Sequence, residues 1–380
     1  MKSVREIPVL QNIPVIVRGA LNEPMDGEIV KDTFRLQRAL PTLLFLQSKG
    51  ARIVLISHLG QKGTETLEPI AKKLGQMIQN VSFCPVTVGE QARDAVRKLA
   101  PGDILVMENL RRNKGETAND PAFAKALAEL GDVFVEDSFD TCHRKHASIV
   151  GLPQLLPSYA GLTLLEEVGS LASALHPARP SLAIIGGAKF ATKEPAINAL
   201  INAGYDSVFV AGALANDFIK AKGFDVGASL ISDPPADPAK MKALLENPHV
   251  LMPIDALVAN VGDGADKARV AELSDVKPGE MILDVGPATE ALLASIVEKS
   301  KAVLWNGPLG QYETGFTKTT DKLAQEIAGS GARSIVGGGD TVTAIEALNI
   351  LPRFSFVSEG GGAMLEFLAA GTLPGIAALG

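Results

Sequence analysis

Short, unbroken apolar runs recur along almost the whole chain, each separated from the next by a stretch with helical periodicity. In the first half the runs are 14–17, 52–56, 103–107 and 132–135, with amphipathic stretches at 33–49, 67–79, 90–99 and 121–130. In the second half they are 182–185, 207–210, 301–305, 334–336 and 355–357. A strand apolar on both faces must be covered on both faces, so the pattern predicts parallel sheets between helical layers, an α/β fold. A chain of 380 residues exceeds what one compact core usually supports, which predicts two domains. Pro153 and Pro157 precede a helical pattern over 162–175, and His176-Pro177-Ala178-Arg179-Pro180 ends it. Proline cannot continue a helix interior, so this reads as a helix connecting two α/β halves.

The net charge is −7, with +2 on residues 1–158 and −9 on the remainder, which argues against nucleic acid or an acidic membrane as a partner. Cys84 and Cys142 make no disulfide framework. The first residues lack a signal-peptide core, and the longest uncharged run, 147–165, is broken by Pro and Gly. The expectation is a cytoplasmic protein without a membrane span.

In open parallel sheets, ligands bind beyond the carboxyl ends of the strands. In the first half those positions hold Arg18, Ser57-His58, Glu108-Asn109-Leu110-Arg111, and Asp137 followed by His143-Arg144-Lys145-His146, with Arg35 early in the first helix. Cationic and imidazole groups on four strand ends predict an anion site, since a guanidinium forks onto phosphate or carboxylate. His143 and His146 lack the partners of a tetrahedral zinc set. In the second half the strand ends are glycine-rich: Gly186-Gly187-Ala188-Lys189, Ala211-Gly212-Ala213, Asn306-Gly307-Pro308, Gly337-Gly338-Gly339-Asp340 and Gly360-Gly361-Gly362. Glycine lets backbone approach a ligand, and a following helix points free N–H groups at an anion. Lys189 and Lys193 lie four apart at a helix start, and Asp340 could coordinate Mg²⁺. Neither a P-loop nor an intact G-x-G-x-x-G is present. A basic crevice and a phosphate cradle in one chain point to phosphoryl transfer.

The segments SHLG (57–60), MENLR (107–111), HRKHAS (143–148), GGAK (186–189), KAKGFDVGASL (220–230), DVGP (284–287), WNGPLGQYE (305–313), VGGGD (336–340) and EGGGAMLEFL (359–368) occur in the order and spacing of phosphoglycerate kinases, which the chain resembles over essentially its whole length. The resemblance implies two Rossmann-like three-layer α/β/α domains with mainly parallel sheets, joined by a helix. It implies an acceptor domain at 1–158, a connecting helix at 159–178, a nucleotide-binding domain at 179–357, and a segment at 358–380 returning to the first domain. The implied reaction is reversible phosphoryl transfer between ATP and the carboxylate of 3-phosphoglycerate, giving ADP and 1,3-bisphosphoglycerate. Mg²⁺ would accompany the nucleotide, and the family expectation is a glycolytic monomer that closes about a hinge. By position, Asn22, Arg35, His58, Arg111 and Arg144 would hold the phosphoglycerate, with Ala20, Leu21, Leu59, Gly60 and Gln61 beside it. Lys189 and Lys193 would contact the nucleotide phosphates and the group in flight. Gly212, Asn306 and Glu313 would line the nucleoside pocket. Gly338, Gly339, Asp340 and Thr341 would hold the phosphates and magnesium, and Gly361 and Gly362 would open a helix aimed at the transferred group. Arg35, Lys189, Gly338 and Gly361 are the implied catalytic groups.

The family pattern is altered at several of these places. Ala20 replaces an aspartate, Gln61 an arginine, Asp140 a glycine, Ala211 a glycine and Glu359 a threonine. The losses fall mainly on the acceptor side. A fold-retaining kinase for another phosphorylated acid, or a non-catalytic nucleotide-binding protein, are therefore the alternative readings. Asp140 is expected to pair with Arg144 or Lys145, and Glu359 to act as an outward-facing helix cap.

Overall fold

The computed structural model describes residues 1–380 and divides them into two units. The first comprises Met1–Gly169 with Thr372–Gly380, and the second Ser170–Gly371. These limits differ from those read in the sequence. Of the segment beginning at 358, only the last nine residues belong to the first unit, because the helix before them packs within the second.

In the first unit the strands are β1 (Pro14–Gly19), a small hairpin of β2 (Met25–Asp26) and β3 (Ile29–Val30), β4 (Arg52–Ile56), β5 (Val81–Cys84), β6 (Ile104–Met107), β7 (Val133–Asp137) and β8 (Ser158–Ala160). Its helices are α1 (Phe34–Ser48), α2 (Glu68–Leu74), α3 (Glu90–Arg97), α4 (Lys114–Thr117) and α5 (Pro121–Ala128). α6 (Leu162–Ala174) leads out of it and is shared with the second unit. The sheet runs β5-β6-β4-β1-β7-β8 and is parallel throughout. Val15, Val17, Ile53, Leu55, Ile104 and Val106 lie on one face of this sheet and pack against Leu36, Leu43 and Leu46 of α1. Burying such side chains contributes roughly 1.5–3 kcal/mol apiece. The period-3.6 spacing of the α1 residues is what sets that face toward the sheet.

The second unit continues with β9 (Ser181–Ile185), α7 (Phe190–Asn202), β10 (Ser207–Val210), α8 (Gly212–Ala221), α9 (Pro238–Leu245), β11 (Val250–Leu251), β12 (Asp255–Asn260), β13 (Arg269–Glu272), β14 (Glu280–Val285), α10 (Pro287–Lys299), β15 (Ala302–Asn306), α11 (Lys318–Gly329), β16 (Arg333–Gly337), α12 (Gly339–Ala347), β17 (Phe356–Val357) and α13 (Gly361–Ala370). α14 (Pro374–Ala377) closes the chain in the first unit. The main sheet, β11-β10-β9-β15-β16-β17, is again all parallel. A separate antiparallel sheet, β13-β12-β14, has no counterpart in the sequence reading. One face of it packs on Ile219 and Val226, and its short apolar stretches at 256–259 and 281–283 passed unread. No helix is long and apolar enough to cross a membrane.

In each main sheet the chain starts near the middle and later crosses to the other side, between β1 and β7 in one unit and between β9 and β15 in the other. These are the switch points at which doubly wound sheets open a crevice.

Candidate active site

At the switch point of the first unit stands Arg18, the penultimate residue of β1 and only 1% exposed. A buried guanidinium is costly unless its donors are satisfied. Here Nε donates to Ser148 Oγ (3.3 Å), Nη1 to Gly19 O (2.7 Å) and Ser57 Oγ (3.1 Å), and Nη2 contacts His58 Nδ1 at 3.0 Å. Glu116 anchors the far side, accepting from Ser148 Oγ (2.6 Å) and Ser148 N (3.0 Å). Arginine can only donate, so His58 Nδ1 must accept and its proton must sit on Nε2. Burial, then the charges of Arg18, Arg144, His146 and Arg35, hold the His58 imidazole well below its usual range. His146 is lowered to about 4 by burial and then by Arg144, Arg18 and His143. So many cations around neutral imidazoles make a field suited to a multiply charged anion.

The remaining acceptor-side residues meet this cluster through backbone. Arg35 Nη1 donates to Asn22 O (3.1 Å), Asn22 Oδ1 accepts from Gly60 N (2.9 Å), and Arg111 donates to Gly60 O. Gly60 needs φ +62°, and a Cβ there would collide with the Glu65 carboxylate. Asn109 braces the loop by accepting from Leu59 N (3.2 Å) and donating to Leu59 O (2.8 Å). The structure thus brings Asn22, Arg35, Gly60 and Arg111 into one hydrogen-bonded set, while His58 is held by Arg18 and feels the charges of Arg35 and Arg144. Leu21 and Leu59 turn their side chains into the hydrophobic core, so only their backbone can serve a ligand. Ala20 is buried and Gln61 exposed. Asp140 accepts from Ser138 Oγ at 2.6 Å, a partner that the sequence reading, which expected Arg144 or Lys145, did not include. Arg18 is among the strand-end cations from which the sequence predicts an anion site, though not among the residues the family resemblance places on the acceptor; Ser148 and Glu116 were not singled out. The usable signal was a lone arginine ending an otherwise apolar strand.

In the second unit the glycine turns press backbone against backbone. A Cβ on Gly186 would lie 2.6 Å from Pro308 O, one on Gly212 3.2 Å from Gly187 N, and one on Gly361 3.1 Å from Gly338 Cα. Trp305, fully buried, donates from Nε1 to Gly307 O at 2.7 Å and holds the β15 turn in place. Elsewhere in the fold carboxylates fill helix N-termini: Asp137 accepts from Thr163 N and Leu164 N of α6, and Asp255 from Ala288 N and Thr289 N of α10. At α12 and α13 the N-cap residues are Gly338 and Gly360, which have no side chain to cap the first turn. A phosphate oxygen meets the same need that a carboxylate meets at the other helices. Glu359, expected as an outward-facing cap, is instead buried beside Gly360.

Beside these turns is a cavity of about 290 Å³, bounded by residues that include Gly187, Gly212, Leu283, Asp284, Glu313 and Asp340. Asn216, Leu283 and Asp284 reach it from α8 and β14 and were not among the sequence candidates. Lys189 is the exposed N-cap residue of α7. Lys193 is half-buried, its ammonium lowered by burial, and a Cβ on Gly187 would come 3.5 Å from its Nζ. Asn306 and Thr341 spend their side chains on the turns themselves: Asn306 Nδ2 donates to Gly361 O (3.3 Å), and Thr341 Oγ1 accepts from Gly307 N (2.9 Å). Gly339 and Asp340 lie exposed in the first turn of α12.

The family model described as phosphoglycerate kinase matches residues 4–371. The chain belongs to the phosphoglycerate kinase family. A phosphoglycerate kinase of Xanthobacter autotrophicus is 41% identical, over 96% of both chains, and one of Orientia tsutsugamushi 39% identical, over 98% of this chain and 95% of the other. Among solved structures, the phosphoglycerate kinase of Coxiella burnetii matches with TM-score 0.82 and 36% identity over 99% of this chain and 98% of that one. That of Pyrococcus horikoshii matches with TM-score 0.88 and 28% identity, over 100% and 98%. The chain is accordingly a phosphotransferase with a carboxyl group as acceptor, built on the mainly parallel α/β architecture expected of its sequence.

Proposed function

We propose that this phosphoglycerate kinase moves the terminal phosphoryl group between ATP and the carboxylate of 3-phosphoglycerate with the residues described above. The observation that carries the assignment of the acceptor side is the neutral, Nδ1-anchored His58 set among Arg18, Arg35 and Arg144. His58 Nε2–H, Asn22, Arg35, Arg111 and Arg144 bind and orient the acceptor. The acceptor carboxylate is ionised near neutrality, so no general base is needed. Lys189, Lys193 and the open N-termini of α12 and α13 bind the nucleotide phosphates and offset the charge that spreads over the transferred group. The cavity holding Glu313 takes the nucleoside, with Glu313 toward the ribose.

Magnesium fits the residues present. No group of three or more His, Cys, Asp or Glu side chains could hold a metal alone, and Asp340 stands exposed beside the glycine turn. Mg²⁺ is commonly held by one carboxylate together with substrate phosphates and water, and Asp340 would supply that carboxylate. Bound there, the ion would neutralise charge on the phosphate oxygens. A cytoplasmic monomer is the setting we infer, in keeping with two buried free cysteines and no membrane-crossing helix.

The test is a coupled assay with ATP, Mg²⁺ and 3-phosphoglycerate. Turnover is expected. Binding of ATP without turnover, followed by phosphorylation of another phosphorylated acid in a screen, would replace the acceptor, a possibility that Ala20 and Gln61 keep specific.

A further inference from the structure

Glu23 lies in the loop between Asn22 and the β2–β3 hairpin, with its side chain fully buried. A buried carboxylate is expensive and requires partners. Oε1 accepts from Leu36 N at 2.9 Å and so fills the first turn of α1. Oε2 has no hydrogen bond, but lies 3.6 Å from Arg35 Nη1, and that same Nη1 donates to Asn22 O at 3.1 Å. Arg35 is therefore held at one corner of its fork, from below, by two groups of a single loop. We propose that Glu23 is a positioning residue for Arg35, tying the guanidinium to the Asn22 loop so that its free edge is presented to the acceptor in one orientation. The proposal rests on the reading of Arg35 as an acceptor-binding residue.

The physical argument is one of order. An arginine side chain carries considerable rotamer entropy, and a ligand that must order it forfeits part of its binding energy. One carboxylate contact and one carbonyl contact at Nη1 order it beforehand. The charged groups facing Glu23 are Arg35 on α1, which favours its ionisation, and Asp32 just ahead of α1, which opposes it. Burial dominates and pushes the carboxyl up to about 7, so at pH 8 it is mostly ionised and the contact is in place.

The test compares Glu23→Gln with the unaltered chain at pH 8. The amide oxygen of Gln still accepts from Leu36 N, so α1 keeps its first-turn bond while the charge is lost. Calorimetric titration with 3-phosphoglycerate is expected to show about tenfold weaker binding, with ATP binding changed less than twofold. ¹⁵N relaxation of the Arg35 Nε–H group is expected to show lower order in the variant. Unchanged affinity, or weakened affinity with Arg35 as ordered as before, overturns the proposal. Arg35→Ala is the separate control: if it binds 3-phosphoglycerate as tightly as the parent, the reading of Arg35 fails whatever Glu23 does. If instead Arg35→Ala weakens binding while Glu23→Gln does not, only the positioning role falls.

Discussion

Asp284 lines the cavity of the second unit from β14 and is 3% exposed. Its Oδ1 accepts from Thr319 Oγ1 and from Val285 N (2.8 Å), yet burial outweighs these bonds and pushes the carboxyl from 3.8 to about 7. The folded chain therefore binds this proton more tightly than the unfolded one. Stability from the group is complete below the unfolded value near 4 and is lost as pH rises through about 7. Each unit of difference is worth about 1.4 kcal/mol, so the loss from pH 5 to pH 8 comes to about 2.5 kcal/mol. Asp284→Asn keeps the acceptor for both donors and removes the titration. The assay is urea unfolding followed by the fluorescence of the single tryptophan, Trp305, which is fully buried in the core of the second unit and reports on it alone. The difference in stability between variant and parent should move by about 2.5 kcal/mol in the variant's favour between pH 5 and pH 8. A difference that stays constant within about 0.5 kcal/mol would refute the assignment of Asp284 as a carboxyl kept protonated by burial.

Further outcomes are expected. Lys189→Ala should lower turnover by about 100-fold or more while leaving the Trp305 unfolding curve unchanged, since Lys189 is exposed; retained turnover removes it from the mechanism. Gln61→Arg adds a cation at an exposed position beside Gly60 and should lower KM for 3-phosphoglycerate by about fivefold, corresponding to about 1 kcal/mol of charge-assisted binding. Long-range ¹H–¹⁵N spectra should show His58 neutral from pH 6 to 8 with its proton on Nε2, and an Nδ1–H signal would contradict the contact with Arg18. Gly375→Val should release the terminal segment, because a Cβ at Gly375 already comes 2.8 Å from Ile149 Cγ2 and 3.0 Å from Cys142 Sγ. Limited proteolysis of Thr372–Gly380 would reveal it, and a protection pattern like the parent's would argue against tight docking there.

Much of this was legible in the residues themselves. The parallel strands announced themselves because a strand covered on both faces carries an unbroken apolar run, as at 14–17, 53–56 and 182–185. The sites were legible as places, since ligands gather at strand ends and glycine turns recur at those of β9, β10, β15 and β16. The antiparallel sheet at 255–285 was not, because its short strands are only partly buried and its core is shared with α8. Val81–Cys84 was not either, being an edge strand of mixed exposure.

The linear order of residues determined the layered architecture, the placing of both candidate sites at strand ends and the family, because these depend on periodicity and on groups close together in the chain. Which groups act on one another was decided only by folding. Arg18 meets Ser148 across 130 residues, and Asp284 meets Thr319 across 35. Whether Asp140 is tolerated, which nitrogen of His58 carries the proton, and whether Glu23 braces Arg35 all depend on distances of about 3 Å between separate segments. Electrostatic and hydrogen-bond energies fall off over that same distance, so only packing sets them.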